Sequence, residues 1–586
     1  MGRNRILLGA LTAATLAACS GEPSRESAEL DGEADKALPP DKADSPYTEC
    51  QLAQATAYAN DADTTLEVLL AAGLTRRGAG NLIAHRAGAD GATGTADDDP
   101  FDDASELDAV PYIGPVSFQR LITAVQSRCD LVIAAEPTFS PKPYAESHLP
   151  KIAALIDQAQ RSVDVAVYSF SDNGIAEALK RAVARGVSVR MVFEPARDEK
   201  SSPEGTTSAK LEGLGIDVRY VNKIMHHKFA IIDGPRDSAE QAYSAVLVTG
   251  SGNWSSSAGT RYDENTLVVR NAGTQVLRFQ REFNLLWENS RDFVWNQQLQ
   301  FFRSKPIPSS IIPQDPSAHA VFTSANFEVK QFSAGPGFSV VTGRNEVADK
   351  LVELIRSATK SIHVASGHLR SRPVAEALMA KRKEQPEVDV RVYLDNQEYL
   401  SKSTDDDQKA ELAECLANAG DSVSKQQACY DVGTLFSYAV QDAGVPLRYK
   451  LYCYRWDFSY ALQMHHKYMV FDGETVATGS YNLSDNAEHQ TMENMSIFRG
   501  EANRALAHAY EDNFEWMWAT GELDGGYEKL MELIQNTSEP IPLAFEPMAL
   551  DWARVTSLKS AIRQACPAVD SVEFRADPAA HTKCYR

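Results

Sequence analysis

The chain has 586 residues, of which 43% are hydrophobic and 24% are charged. This length exceeds what one hydrophobic core supports, so it predicts two large domains and a small one. The net charge of −22 counts against a nonspecific nuclease, because such an enzyme attracts its polyanionic substrate with a positively charged surface. A locally basic cleft would still permit nuclease activity.

The N-terminus has the pattern of an export signal. Arg3 and Arg5 precede an apolar stretch, residues 6–18, that is too short to span a bilayer. The adjoining Leu-Ala-Ala-Cys19 resembles the bacterial lipoprotein cleavage box, in which the cysteine is lipidated, and an ordinary secretory signal is the alternative. Ser20 resembles an outer-membrane sorting signal. We expect residues 1–19 to be a signal peptide and Cys19 to carry a lipid anchor, with the protein held in the cell envelope, at the outer membrane, or secreted.

Residues 20–46 contain few apolar side chains, which predicts a flexible tether, and no later segment has the apolar length of a membrane-spanning helix. If Cys19 is lipidated, seven cysteines remain, which is an odd number. We expect Cys453 to be unpaired on a strand and the others to close local segments as Cys50–Cys129, Cys415–Cys429 and Cys566–Cys584.

Residues 47–130 are predicted to form a small helical domain, because 64–73 and 116–125 have helical spacing. The stretches Ala-Gly-Asn-Leu-Ile-Ala-His-Arg86 and Glu-Leu-Asp-Ala-Val-Pro-Tyr-Ile-Gly114 resemble helix-hairpin-helix modules, which bind nucleic-acid backbones. Residues 47–129 contain five basic and twelve acidic residues, and an acidic surface repels phosphates. A structural or spacer role is therefore favoured over DNA binding.

Two α/β segments follow, which we call the first half (residues 131–315) and the second half (316–523). Each opens with strand, helix and strand, and such alternation predicts mixed α/β sheets. The predicted elements are 162–168, 175–185 and 187–193 in the first half, and 361–366, a helix from Val374, and 388–394 in the second. The C-terminal extension, residues 524–586, shows only a helix near 552–564.

One group of chemically active side chains occurs once in each half. His to Lys spans two residues, His to Asp seven, and Asn to Glu eleven in both copies. The copies are His226, Lys228, Asp233, Ser251, Asn253 and Glu264, and His465, Lys467, Asp472, Ser480, Asn482 and Glu493. This repeat resembles the phospholipase D superfamily, whose signature is H-x-K-x4-D followed by G-S-x-N.

The resemblance implies two α/β/α domains packed face to face as a pseudo-dimer within one monomer. Residues two apart on a strand share a face, so each His should point with its Lys into a common cleft, while the intervening His227 and His466 face the other way. Lysines neutralise phosphate oxygens, and Asn and Ser supply neutral donors, here Asn253, Asn482, Ser251 and Ser480.

One imidazole can attack phosphorus while the other protonates the leaving oxygen. By resemblance the upstream motif supplies the nucleophile, so His226 is expected to attack and His465 to act as the acid. Glu264 and Glu493 are expected to fix the histidine tautomers. Asp233 and Asp472 complete the motif as orienting or turn-forming groups. No metal or other cofactor is expected, because the lysines already supply positive charge.

The favoured substrate is a phospholipid headgroup phosphodiester, with water or an alcohol as acceptor. Family chains with two motifs include phospholipases D and cardiolipin synthases, whereas many family nucleases carry one motif and dimerise. Aromatic residues between Tyr449 and Tyr460 would contact acyl chains or, equally, a core. Two alternatives remain open: a metal-independent extracytoplasmic endonuclease acting on DNA or RNA, and a non-catalytic phosphate-binding protein.

Overall fold

The structure is a computed structural model that describes residues 46–293, 301–452, 462–520, 525–536, 547–568 and 570–585. Five helices form the N-terminal unit: α1 Glu49–Asn60, α2 Leu66–Ala71, α3 Arg76–Arg86, α4 Ala104–Asp108 and α5 Pro115–Cys129. Side chains of Thr48, Thr65, Thr75 and Asp103 cap the first four, as the orphan amides of a helix start require. The expected disulfide Cys50–Cys129 is confirmed and joins α1 to α5.

This unit rests on the first half through polar contacts. The Tyr243 hydroxyl donates to Gln54 Oε1 at 2.6 Å, and Arg128 pairs with Glu240 at 2.5 Å. The Arg128 guanidinium also lies over the rings of Tyr58 and Tyr243. The acidic unit is therefore docked on the α/β body.

The first half contains a mixed sheet with helices on both sides, as expected. Its elements are β1 Ala134–Ser140, α6 His148–Gln158, β2 Ser162–Val167, α7 Asn173–Ala184, β3 Ser188–Phe193, α8 Thr207–Glu212, β4 Asp217–Tyr220, β5 Ile224–Met225, β6 Lys228–Ile232, β7 Val246–Gly250, α9 Ser256–Thr260, β8 Glu264–Arg270, α10 Gly273–Glu288 and β9 Arg291–Asp292. The sheet order is β1-β8-β7-β6-β2-β3-β4-β9, and β2, β3 and β4 are parallel neighbours.

The second half repeats this arrangement with an insertion. Its elements are β10 Ala318–Phe322, β11 Phe327–Phe332, β12 Gly335–Val340, α11 Glu346–Ser357, β13 Ser361–Ser366, α12 Arg372–Glu384, β14 Asp389–Asp395, α13 Lys402–Ala419, α14 Val423–Tyr430, α15 Ser437–Asp442, β15 Leu447–Leu451, β16 Lys467–Phe471, β17 Thr475–Gly479, α16 Asp485–Gln490, β18 Thr491–Met492, β19 Asn494–Arg499 and α17 Arg504–Ala519. The expected disulfide Cys415–Cys429 is confirmed and links α13 to α14 within the insertion.

The C-terminal extension completes the second sheet. It forms α18 Gly526–Gln535, β20 Met548–Asp551, α19 Trp552–Ala565 and α20 Val572–Ala576. The sheet order is β10-β19-β17-β16-β13-β14-β15-β20, and β20 pairs antiparallel with β15. The expected helix near 552–564 is confirmed as α19. Sequence analysis treated the extension as separate because a four-residue edge strand has no clear periodicity.

Several expectations concern residues outside the described ranges: Cys19, the tether, Cys453, and most of the aromatic run after Tyr452. Cys566 is disulfide-bonded, but the side chain of its expected partner Cys584 is not described. Within the described ranges, no helix combines the length and apolar character needed to cross a bilayer.

The two sheets share one hydrophobic core. A single cluster of buried side chains includes Phe229 and Ile231 of β6 together with Tyr468 and Val470 of β16. All five residues of β6 and of β16 are buried, so their apolar sequences read as continuous runs. Because these central strands face one another, the motif residues at their starts meet at one end of the interface.

The first sheet also contains a buried ion network. The Asp164 carboxylate on β2 accepts two hydrogen bonds at 2.8 Å from Arg190, one at 2.5 Å from Arg236 and one at 2.9 Å from Gln280. Asp164 is 1% exposed. The two guanidinium groups hold the pKa of this carboxyl far below its usual range despite burial.

Candidate active site

Each motif places its histidine and lysine on the same side of a strand start. Lys228 Nζ donates to the His226 carbonyl at 2.6 Å, and Lys467 Nζ donates to the His465 carbonyl at 2.8 Å. Both lysines are 1% exposed. The two-residue spacing from His to Lys therefore predicted that the two residues of each motif lie on the same side of the strand.

A short parallel ladder brings the two motifs together. Strand β5, just before His226, pairs with β18, just before Glu493. The His226 amide donates to the Met492 carbonyl at 3.2 Å, and the His465 amide donates to the Asp263 carbonyl at 3.0 Å. The backbone of each half therefore fixes the motif loop of the other.

The carboxylates are exchanged between the halves. His226 Nδ1 lies 2.7 Å from Glu493 Oε1, and His465 Nδ1 lies 2.7 Å from Glu264 Oε1. Both glutamates are fully buried. A carboxylate at Nδ1 leaves Nε2 of the same ring as the atom available for chemistry. The sequence predicts that the glutamates hold the histidines, but it does not show that each partner comes from the other half.

A second exchange supports the first. Asn494 Nδ2 lies 3.0 Å from His227 Nδ1, and Asn265 Nδ2 lies 3.2 Å from His466 Nδ1. Both histidines are fully buried on the strand face opposite the catalytic pair, where they were expected. Sequence analysis missed the role of Asn265 and Asn494, although the Glu-Asn pair recurs in both copies and was the available signal.

Asn253 and Asn482 follow β7 and β17 in equivalent loops. The Oδ1 atom of each is buried and has no hydrogen-bond partner among the described residues. Leaving a buried amide oxygen unpaired is costly, so such atoms indicate a place that a polar ligand completes. Both loops belong to the motifs whose histidines face each other, but an amide oxygen is an acceptor, so these atoms do not themselves bear on the donor role expected of the two asparagines.

The structure corrects the role expected for Ser251 and Ser480 as substrate-binding residues. Both are fully buried, and their Oγ atoms accept hydrogen bonds from the amides of Asn265 at 2.9 Å and Asn494 at 3.0 Å. They hold the start of the following strand. The glycines before them permit this close approach, because a Cβ at Gly250 would lie 2.4 Å from the Asn265 carbonyl oxygen.

Asp233 and Asp472 are turn-forming residues, one of the two roles expected for them, and although they belong to the repeated motif they do not join the histidines and lysines as catalytic candidates. Asp233 ends β6 at φ 54°, and its carboxylate accepts hydrogen bonds from the amides of residues 160–162. Asp472 ends β16 at φ 56° and binds the amides of residues 359–361 in the same way. Each lies at the opposite end of its strand from the motif lysine.

Burial and crowding of positive charge set the ionisation of the site. Burial, reinforced by the two lysines, lowers the pKa of His226 and of His465 well below 6.5, so both imidazoles are neutral near pH 7. Burial likewise lowers the pKa of Lys228 to about 7 and of Lys467 to about 8.

Burial raises the pKa of Glu264 and of Glu493 to about 7 in each case. Removal from water disfavours the charged form of the histidines, lysines and glutamates alike, and an anion between the lysines would favour the charged form of the cationic groups only. Among the described residues, two groups could supply three metal ligands, His85–Asp99–Glu106 and His363–Glu511–Glu515, and neither contains a motif residue.

Comparisons with known proteins agree with the repeat. A family profile described as "Cardiolipin synthase, PLD-like domain" matches residues 152–287 and 351–518, together just over half of the chain. The mitochondrial cardiolipin hydrolase of Xenopus laevis is 31% identical over 174 residues, which cover 28% of this chain and 76% of that protein. The Xenopus tropicalis protein of the same name is 31% identical over 150 residues, covering 25% of this chain and 65% of that protein.

Among solved structures, Nuc, a phospholipase D family member from Salmonella typhimurium, is 27% identical and covers 28% of this chain and 98% of its own, with a TM-score of 0.23. The profile match encloses the histidine, lysine, asparagine and glutamate of both motifs. The chain therefore belongs to the phospholipase D superfamily and carries its PLD-like domain twice.

Proposed function

We propose that this protein cleaves the headgroup phosphodiester of phospholipids through a covalent phosphohistidine, with water or an alcohol as the final acceptor. The observation that carries the proposal is the pair of neutral histidines, each with a buried glutamate 2.7 Å from Nδ1 and a lysine two residues away. Such a pair supplies a nucleophile and a proton donor on opposite sides of one phosphate.

In the first step His226 Nε2 attacks phosphorus, the bond from phosphorus to the headgroup oxygen breaks, and His465 Nε2 gives that oxygen a proton. Glu493 stabilises the positive charge that develops on the attacking ring. Lys228 and Lys467 stabilise the charge on the non-bridging oxygens, and preorganised donors of this kind favour the transition state most.

His465 must hold a proton before it can donate one. Lys467 and Lys228 contribute to its lowered pKa, so an anionic phosphate between them offsets that repulsion and raises the pKa of the imidazole. Substrate binding therefore prepares the acid, with Glu264 stabilising the protonated ring.

In the second step the roles reverse. His465, now neutral, takes a proton from a water or alcohol oxygen, that oxygen attacks phosphorus, and the bond from phosphorus to His226 breaks. Transfer and hydrolysis differ only in the acceptor.

Lipid is favoured over nucleic acid by two observations. The relatives named above are called cardiolipin hydrolases, and the net charge of −22 opposes a polyanionic substrate. The proposal includes attachment to the cell envelope through a lipid on Cys19, and a spacer role for the acidic unit at residues 47–130. A metal-independent endonuclease is the other outcome that the same assay would detect.

The test is full-length protein, purified in detergent with EDTA present and offered phosphatidylcholine, phosphatidylglycerol, and single- and double-stranded DNA. We expect headgroup release from phospholipid, retained in EDTA and abolished in His226→Ala and His465→Ala. His508→Ala removes an exposed histidine and is the matched control. Cleavage of DNA alone, or activity that requires added zinc or magnesium, would contradict the proposal.

A further inference from the structure

The two halves are equivalent in backbone around the cleft, which allows their side chains to be compared position by position. The Tyr168 amide donates to the His227 carbonyl at 2.9 Å, as the Gly367 amide does to the His466 carbonyl at 3.1 Å. Three residues further on, the Ser171 and Arg370 amides donate to the carbonyls of Trp254 and Leu483 at 2.9 and 2.7 Å. The segments that follow β2 and β13 are therefore superimposable in register.

On the first-half side these positions are uncharged. The Tyr168 ring lies 4.6 Å from the His226 ring and 5.1 Å from Lys228 Nζ, measured to ring centroids. Ser169 and Ser171 follow it. At the compared positions the first half therefore presents an aromatic ring and two hydroxyl groups.

On the second-half side the same positions carry Gly367, His368 and Arg370. A Cβ at Gly367 would lie 2.8 Å from the Met464 carbonyl oxygen, so the chain passes close against the loop of His465. The next residue, His368, is thereby held beside the catalytic histidine. Its charge is one of the causes that lower the pKa of His465, after burial and the two lysines.

A buried carboxylate orients the two basic side chains. Glu398 is fully buried, and its Oε1 lies 2.9 Å from His368 Nδ1 and accepts from Arg370 Nη2 at 2.6 Å and Nε at 3.0 Å. The side chains of His368 and Arg370 remain 30% and 29% exposed. Glu398 thus uses one edge of each group, and the other edge of the guanidinium is left for a ligand.

The Arg370 segment also borders the loop of Asn482. Arg370 forms an isolated bridge with Ser484, and its carbonyl accepts from the Asp485 amide at 3.4 Å. The basic pair therefore lies between two motif loops of the second half, that of His465 and that of Asn482.

We propose that His368 and Arg370, held by Glu398, form a second anion subsite that binds a negatively charged group in the headgroup of the substrate. The proposal rests on the proposed function, because the group that His465 protonates is the headgroup oxygen. Arginine binds phosphates and carboxylates through paired charge-assisted hydrogen bonds, and the His368 ring can donate a further hydrogen bond to the same anion. The anion is the second phosphate of a diphosphatidyl lipid or the carboxylate of a serine headgroup.

The test exchanges each residue for its first-half counterpart: His368→Ser, Arg370→Ser and both together. Steady-state kinetics on mixed micelles would compare cardiolipin and phosphatidylserine with phosphatidylcholine, which carries no headgroup anion. We expect the ratio of kcat/KM for anionic over neutral headgroups to fall about tenfold to a hundredfold in the double variant, mainly through KM. The anionic lipid whose kcat/KM ratio falls more in the double variant is the one whose headgroup anion occupies the subsite. Lys360→Ser removes a positive charge at the far end of β13 and is the matched control.

A binding measurement separates this proposal from the proposed function. Calorimetry on the wild type should show glycerol 1,3-bisphosphate binding at least tenfold more tightly than glycerol 1-phosphate, with the difference lost in Arg370→Ser and partly kept in Arg370→Lys. Equal binding of the two compounds by the wild type would overturn the proposed subsite. So would an unchanged preference for the bisphosphate in a double variant that still folds. Bisphosphate preference without any lipid turnover would instead support the subsite and reject the proposed reaction.

Discussion

Replacement of Glu493 by glutamine tests the exchanged carboxylates and the assignment of the two histidines together. The separation of 2.7 Å between His226 Nδ1 and Glu493 Oε1 puts the charge centres of imidazolium and carboxylate about 4 Å apart. At an effective dielectric constant of about 20, such a pair contributes about 4 kcal/mol. Since His226 becomes cationic on attack, we expect Glu493→Gln to slow phosphoryl-enzyme formation by about a thousandfold.

The assay is rapid mixing with bis(p-nitrophenyl) phosphate, whose leaving group departs without a proton. Glu264→Gln changes only the carboxylate beside His465. In this variant, phosphoryl-enzyme formation on His226 should persist, and hydrolysis of the phosphoryl-enzyme should slow. We therefore expect a burst of one equivalent of nitrophenolate in Glu264→Gln and none in Glu493→Gln. Glu488→Gln, an equally buried glutamate that caps α11 through the amides of Val347 and Ala348, controls for loss of a buried charge.

A burst in Glu493→Gln and none in Glu264→Gln would reverse the roles of the histidines. Equal, small effects in both variants, no larger than in Glu488→Gln, would refute the reasoning that these carboxylates stabilise charged rings.

Three further predictions concern pH, stability and anchoring. The mechanism needs neutral His226 and protonated His465, so the kcat/KM on phosphatidylcholine should rise with pH through the lowered pKa of His226 and fall as His465, whose pKa is also lowered, and then Lys228 and Lys467, at about 7 to 8, lose protons. Lys228→Arg should retain more of its maximal kcat/KM above pH 7 than the wild type, and an unchanged alkaline limb would assign that limb to another group. Asp164→Asn leaves the buried Arg190 and the partly buried Arg236 without a carboxylate and should cost about 3 to 5 kcal/mol in urea unfolding. Asp157→Asn, which removes an exposed pair partner, should cost at most about 1 kcal/mol. Because the folded pKa of Asp164 is depressed, its contribution to stability is present above about pH 4 and disappears as the pH falls further. Labelled fatty acid should be incorporated into wild-type protein and not into Cys19→Ala, and label retained in the variant would reject the lipid anchor.

Much of the fold and of the site follows from local patterns. The sequences of strands β6 and β16 are continuous runs, mainly apolar, that end at Asp-Gly, and this pattern predicts a buried strand followed by a turn. The helix α19 and two disulfides were likewise predictable from spacing. The side of the strand on which His226 and Lys228 lie follows from the alternation of side chains.

What sequence reasoning missed depends on contacts across the interface. Nothing local to Glu264 says that its partner is His465, about two hundred residues away, because the choice is made by how the two sheets pack. The role of Ser251 was misjudged for a related reason. A serine after glycine has the same sequence pattern whether its hydroxyl faces a ligand or the backbone of the next strand.

The exchange of carboxylates between the halves has an evolutionary consequence. In a symmetric dimer of one-motif chains, every substitution beside the catalytic centre appears twice, so it must suit the nucleophile and the acid at once. Fusion into one chain removes that constraint while the exchanged glutamates still require both halves to stay together. Substitutions could then change the first-half side and the second-half side of the catalytic centre independently. The difference between Tyr168 and Gly367, which occupy equivalent positions, is a divergence that a duplicated gene permits and a homodimer does not.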